Sequence, residues 1–445
     1  MYDLLIKNGI VVRPTGTEVT TVAVTDGKIA AFGVSDEKKA QSVVDADGML
    51  VMPGAVDVHV HFSEPGRDWE GFETGSRMLA AGGITTYMDM PLNGIPSTIT
   101  TENAEEKAAL GRQKSVLDFG LWGGLVPGGV EHIPAMAARG IRVFKAFMSP
   151  SGNPEFERAD DETLFRGMQV IAEHGGMLGL HAESEPVVST LSRQFEERGQ
   201  TEADDYLASR PVEAELEAVQ RALVFAKQTG CPLHFVHISS AEAVQVIQRA
   251  KAAGQDVTLE TCAHYLMFDH EALQMRGAEA KCAPPLREAA VQQELVSRWK
   301  QGEIDMVTSD HSPCPEELKE GGLWQAWGGI SSGPYTLLSV LELTAKHDLS
   351  WGQAAAWTAE QPAYRFGLHQ KGSLEKGKDA DIVLVDLYEE TTVARETMHM
   401  RHKHSLFEGH RFPHRIHSVW QRGTEIYNGK TDTFTNNKGK WLQEQ

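Results

Sequence analysis

The stretch Val56-Asp57-Val58-His59-Val60-His61-Phe62, entered through Met52-Pro53-Gly54, decides how the rest of the chain is read. Valines alternate with polar residues, the pattern of a short strand with one face in an apolar layer. Side chains two apart share a face, so Asp57, His59 and His61 converge on the same side. Two imidazoles on one face of an apolar strand suit a divalent cation better than a hydrocarbon core. A single histidine there would read as a hydrogen-bonded core residue. The pair points to metal.

Working outward, strand-like segments alternate with helical ones. Eight strand candidates lie at 56–61, 84–91, 116–125, 141–148, 177–183, 233–239, 257–266 and 304–311. Residues 213–227 and 241–253 carry apolar residues at helical spacing. Eight such repeats predict an α/β fold, a (β/α)8 TIM-like barrel, with a doubly wound open sheet as the structural alternative. The first fifty residues read as all-β, with hairpin-type signals at Asn8-Gly9 and Asp26-Gly27. Strand character returns at 381–385 and 418–420. The two ends are therefore expected to pair as a small β-sandwich of residues 1–50 and 374–445, beside a barrel of residues 51–373.

Composition narrows the function. The chain has 445 residues, 41% of them hydrophobic and 23% charged, the make-up of an ordinary globular protein. A net charge of −20 without a basic run argues against a nucleic-acid partner. No segment has the length of a membrane span, and the first residues lack a secretory pattern, so a cytoplasmic protein with no membrane partner is expected. Four scattered cysteines, with no C-x-x-C pair, fit a reducing compartment rather than a disulfide framework.

In a parallel barrel the chemistry sits at the C-terminal ends of the strands. The polar residues expected there are His59 and His61, Lys145, His181, His237 and Asp310. Imidazoles and a carboxylate are ordinary ligands of zinc and similar ions. Lys145 lies in the apolar run Val143-Phe144-Lys145-Ala146-Phe147-Met148, where desolvation lowers an amine's pKa. A neutral amine there could form a Schiff base, act as a general base, or take up carbon dioxide as a carbamate bridging two cations. A lysine that only snorkels to the rim is the plain alternative. Four histidines and an aspartate around it favour the carbamate. Asp310, in Thr308-Ser309-Asp310-His311-Ser312-Pro313, reads as metal ligand, proton shuttle, or both, against a turn residue. His264 and His311 read as supporting residues, and His234 as facing the helices. The histidines at 399, 402, 404, 410, 414 and 417 read as a solvated surface or an interface.

With these residues in view, the chain resembles the binuclear metal amidohydrolase superfamily, and within it the cyclic amidohydrolases. The likeness runs nearly end to end, including Gly372-Ser373-Leu374-Glu375-Lys376-Gly377-Lys378-Asp379-Ala380-Asp381-Ile382-Val383-Leu384. His61-Phe62-Ser63-Glu64-Pro65-Gly66-Arg67-Asp68-Trp69 and Met90-Pro91-Leu92-Asn93-Gly94-Ile95-Pro96-Ser97 are similar to stretches of its allantoinase branch. The dihydroorotase branch typically has an arginine where this chain has Ser63. Hydantoinase-like members typically have a tyrosine where it has Pro150. The resemblance implies a cyclic-amide hydrolase that opens the ring of allantoin, with a hydantoinase or dihydropyrimidinase as the alternative and a non-catalytic scaffold further behind. It implies two divalent ions, zinc first, with cobalt, manganese, iron or nickel also suited. These would be held by His59, His61, carboxylated Lys145, His181, His237 and Asp310, with Asp310 also catalytic. It implies substrate contacts near Ser63, Asn93, Ala283 and Gly329, and a homo-oligomer, tetramer or dimer.

Overall fold

The structure is a computed structural model and describes residues 1–443. Both ends of the chain meet in one nine-stranded sheet. Leu50–Pro53 pairs with Tyr2–Arg13 on one side and antiparallel with Ile382–Asp386 on the other. Alternation sorts the faces of this sheet. Leu50, Met52, Val383 and Val385 join the large core shared with the barrel. Val51, Ile382 and Leu384 turn the other way, into a separate cluster with Leu4, Ile6, Val22 and Trp420.

The Asp26-Gly27 signal is a two-residue hairpin turn, with φ of 51° and 72° between Gly16–Thr25 and Lys28–Phe32. Asn8-Gly9 is not a turn. The strand runs through it as a bulge, and the hairpin falls instead between Arg13 and Gly16. Gly9 is needed because a Cβ there would strike the Val51 side chain.

The barrel strands are Ala55–Val60, Ile84–Asp89, Asp118–Leu121 continued by Gly123–Gly124, Val143–Phe147, Met177–His181, Leu233–Phe235, Val257–Cys262 and Met306–Thr308. All neighbouring pairs are parallel, and a bridge from Val60 to His311 closes the ring. Each strand stops at or before the end its alternation predicts, because the mouth loops begin there. The sixth and seventh stop furthest short, at Phe235 and Cys262. After Cys262 the chain turns into the short helix Ala263–Met267, which carries His264. Outer helices have ordinary caps. The Asp160 carboxylate accepts from the Thr163 amide at the start of Asp161–Glu173, and Gly230, at φ 72°, ends Val212–Thr229. Among the described residues no helix is long and apolar enough to cross a membrane.

The late histidines are not a solvated patch. His404 is buried with its ring 2.7 Å from the Cys314 carbonyl, and His410 lies 2.7 Å from Glu342. They fasten the segment after the barrel to a mouth loop at Cys314 and to the helix Thr336–Lys346.

Candidate metal centre at the barrel mouth

The first barrel strand is irregular, with register shifts between Ala55 and Val56 and between Asp57 and Val60. Val56 and Val58 pack with Val143, Phe147, Met177 and Met306, and Val60 joins the large core. His59 and His61, the latter just past the strand's end, line the cavity at the barrel mouth, while Asp57 does not. Asp57, held by burial with a raised pKa of about 6, accepts from the amides of His59 (3.2 Å) and Ser309 (3.3 Å). It ties the first strand to the last. His59 Nε2 lies 3.0 Å and His61 Nε2 3.2 Å from the same oxygen of Asp310. The ligand atoms of these three residues all fall within 4.8 Å of one another. His181 Nδ1 stands 3.1 Å from His237 Nε2, and the His237 ring is 5.6 Å from that of His59. Lys145 is buried on the same cavity, its Nζ 5.0 Å from the Phe147 ring, with no ion pair among the described residues.

The nitrogens facing away from this cluster are tied down, which orients the rings. His59 Nδ1 meets Glu260, which also holds His234 at 3.1 Å. His181 Nε2 meets Glu183 at 2.8 Å, and Glu183 is gripped by Arg210. Asn93 Nδ2 reaches His61 Nδ1 at 3.4 Å. Backbone strain gathers here too. Ser63, Asn93, His237 and Asp310 have φ of 61°, 73°, 40° and 45°, a region non-glycine residues seldom adopt.

The electrostatics fit a cation. Burial takes His61 down to about 4, and His181 and His237 are also lowered chiefly by burial, so three neutral imidazoles face the cavity. Burial also takes Lys145 down to about 8. Burial opposes charge on Asp310, but His59, His61 and His237 hold its carboxyl well below the usual range. His59 differs: burial disfavours its proton, yet Asp310 and Glu260 outweigh that and push it up to about 9. With Nδ1 held by Glu260, Nε2 faces the Asp310 oxygen at 3.0 Å, carrying a proton toward it when no metal ion is bound and a lone pair when one is. Two acceptors 3.0 Å apart need a cation between them, either a proton or a metal ion. The donor set of imidazoles and carboxylate suits a metal.

A cavity of about 360 Å³ opens above the cluster, within the range of small-ligand sites. His59, His61, Lys145, His181, His237 and Asp310 line it, as do Asn93, Ala283 and Gly329. Ser63 does not reach it; its buried hydroxyl has no hydrogen-bond partner among the described residues. His264 lies off the cavity too, fully buried, with both ring nitrogens unpartnered and its pKa lowered by burial to about 4. Sequence reasoning missed Tyr206, Arg210, Lys281, Trp324 and Trp327, which also line the cavity. Their one signal was local: an Arg-Pro pair closing a short helix, and tryptophans in a glycine-rich loop.

The profile of the Amidohydrolase family matches residues 50–426, and the chain belongs to that family. It is 53% identical to an allantoinase of Bacillus velezensis, over 96% of this chain and 94% of that one. An allantoinase of Deinococcus radiodurans is 45% identical over 97% of both chains. Among solved structures, the L-hydantoinase (dihydropyrimidinase) of Arthrobacter aurescens superposes with a TM-score of 0.95 at 34% identity, covering 99% of each chain.

Proposed function

We propose that this chain hydrolyses the ring amide of allantoin to allantoate at a two-cation centre. One observation carries the reading: four buried imidazoles, a buried lysine and a carboxylate, from five barrel strands, face one cavity. The allantoinases it matches over nearly their whole length support the choice of substrate.

His59, His61 and Asp310 would hold one cation, and His181 and His237 the other. Lys145 would bridge them. Its amine, neutral in part near pH 8, attacks the carbon of carbon dioxide, forms an N–C bond and releases a proton, leaving an anionic carbamate. Zinc fits these ligands first, and cobalt, manganese, iron or nickel also fit. Bound there, the cations supply a water acidified to a pKa of about 7 and a Lewis acid for the carbonyl oxygen. Asp310, ionised by its imidazole neighbours, takes the proton of the attacking water. It delivers that proton to the ring nitrogen as the C–N bond breaks, because an unprotonated amide nitrogen leaves poorly. Asn93 orients His61, and the backbone at Ala283 and Gly329 is assigned to the substrate ring. Ser63, off the cavity, would act only through the strained turn it shares with His61.

A cytoplasmic location fits four buried, free thiols. A homo-oligomer, dimer or tetramer, is carried over from the family resemblance.

The likeness to L-hydantoinase favours one second reading, a hydantoinase or dihydropyrimidinase. Pro150 on the cavity wall, in place of the tyrosine of that branch, speaks against it. Turnover of allantoin, hydantoin, a 5-substituted hydantoin, dihydrouracil and dihydroorotate by metal-loaded protein decides. Allantoin should lead by a wide margin in kcat/KM. Comparable efficiency on the 5-substituted hydantoin would move the reading to the second.

A further inference from the structure

The cavity has a second wall, built from residues that no cation needs. Tyr206 stands on the helix Ala203–Ser209, Arg210 caps that helix, Lys281 follows the turn Gly277–Ala280, and Trp324 comes from the loop after the eighth strand. Tyr206 is the hub. Its hydroxyl donates to the Cys282 carbonyl at 3.0 Å. The Arg210 guanidinium lies 5.8 Å and Lys281 Nζ 5.3 Å from its ring centre. Trp324 meets it edge-on at 5.9 Å, with its indole N–H given to the Gln200 carbonyl at 2.8 Å.

Two cations against one aromatic ring are a poor way to stabilise a fold, because each raises the cost of burying the other. Only one has a carboxylate. Arg210 grips Glu183, while its buried Nε has no hydrogen-bond partner among the described residues. Lys281 is 8% exposed and makes no ion pair among the described residues. Its ammonium donates to the carbonyls of Ala326 (2.6 Å) and Trp324 (3.4 Å). Burial takes Lys281 down to about 7, so the third N–H exists only while the amine is protonated, and an acceptor in the cavity would favour that form. Donors thus face the cavity from a wall floored by aromatic edges. Such a wall complements a planar group rich in acceptors. An alkyl or aryl arm would leave those donors unpaired, which a buried site penalises.

Through Glu183, Arg210 is one carboxylate away from His181. The wall therefore adjoins the reacting centre and shares its cavity.

We propose that Tyr206, Arg210, Lys281 and Trp324 form the subsite for the exocyclic arm of the substrate, a planar ureido group on the ring carbon. The arm's carbonyl oxygen accepts from Lys281 and Arg210, and its flat face packs against Trp324. This rests on the functional reading above and deepens it. It explains how one cation-binding barrel can prefer a ureide over a hydantoin with an apolar arm.

Lys281 is the cleaner position to test, since Arg210 also reaches a metal-facing histidine through Glu183. The measurement is the ratio of kcat/KM for allantoin to that for unsubstituted hydantoin, which has the same ring and no arm. In Lys281→Met this ratio should fall by about 10–100-fold, the value of a hydrogen bond from a charged donor. Lys281→Arg, which keeps charge and donors, should recover most of it. Lys281→Gln reads the same ratio where the methionine variant folds poorly. Equal losses on both substrates, or no change in the ratio, overturn the subsite and leave the functional reading standing. Wild-type protein that hydrolyses hydantoin and not allantoin overturns both.

Discussion

The mouth of the barrel and the joint between barrel and end sheet both bury charge, and they settle it differently. At the joint, Lys371 sits among Asp118 (2.6 Å), Asp379 (2.9 Å) and Asp381 (2.8 Å). Lys28 adds a 2.6 Å contact to Asp379, and Arg422 closes on Asp118. Three cations meet three carboxylates, so each charge is answered within the protein. At the mouth, His59 Nε2 and an Asp310 oxygen stand 3.0 Å apart with only a proton or a metal ion able to join them, beside His61, His181 and His237, whose protons burial disfavours. A structural network matches donors to acceptors. A cation site makes acceptors converge and waits for something else to answer them.

The contrast can be broken from either side. The largest effect belongs to Asp310→Asn, which keeps shape and an oxygen ligand but removes the proton acceptor. Its kcat should fall by roughly 10²–10⁴-fold, the usual cost of a lost acid–base group, with cation content largely kept. Near wild-type turnover at full occupancy would place the shuttle elsewhere, with His264 and Glu183 the next residues to test. At the joint, Lys371→Met removes the one cation shared by all three aspartates and leaves buried Asp381 without an ion pair among the described residues. Unfolding free energy should drop by about 3–5 kcal/mol in denaturant titration, while kcat per folded molecule stays near wild type. A large fall in kcat with stability intact would mean that the joint is not merely structural.

The smallest effect sharpens the role of Lys145. Only the neutral amine takes up carbon dioxide, and burial has lowered this lysine to about 8. Below that pH the neutral fraction rises about tenfold per unit, and above it the fraction levels off. Reactivation of metal-stripped protein by cation and a fixed concentration of dissolved carbon dioxide should follow that curve. A rate that falls as pH rises through 8 would count against the carbamate.

Much of this was legible in the chain. Alternation put His59 and His61 on one face, and the fourth, fifth, sixth and eighth strands each carried a polar residue toward the same end, where all six now line the cavity. The bracing of those residues was not legible. Glu260 reaches His59 from 201 positions away, and Asp118 pairs with Lys371 across 253. Neither partner has a local pattern, because closing a barrel sets those contacts. The Asn8-Gly9 pair misled for a related reason: a left-handed Asn-Gly serves a bulge as well as a turn, and only the neighbouring Val51 distinguishes them. The histidines after residue 398 read as a solvated surface or an interface because the partners of His404 and His410, Cys314 and Glu342, come from a distant barrel loop and an outer helix.

The most direct test joins cation content to turnover in one preparation. Protein stripped with a chelator, then reloaded with zinc or cobalt, is assayed for bound metal by elemental analysis and for allantoin hydrolysis. The account predicts that stripping abolishes turnover, and that activity returns with occupancy up to two cations per chain. Full turnover by thoroughly metal-free protein would contradict it.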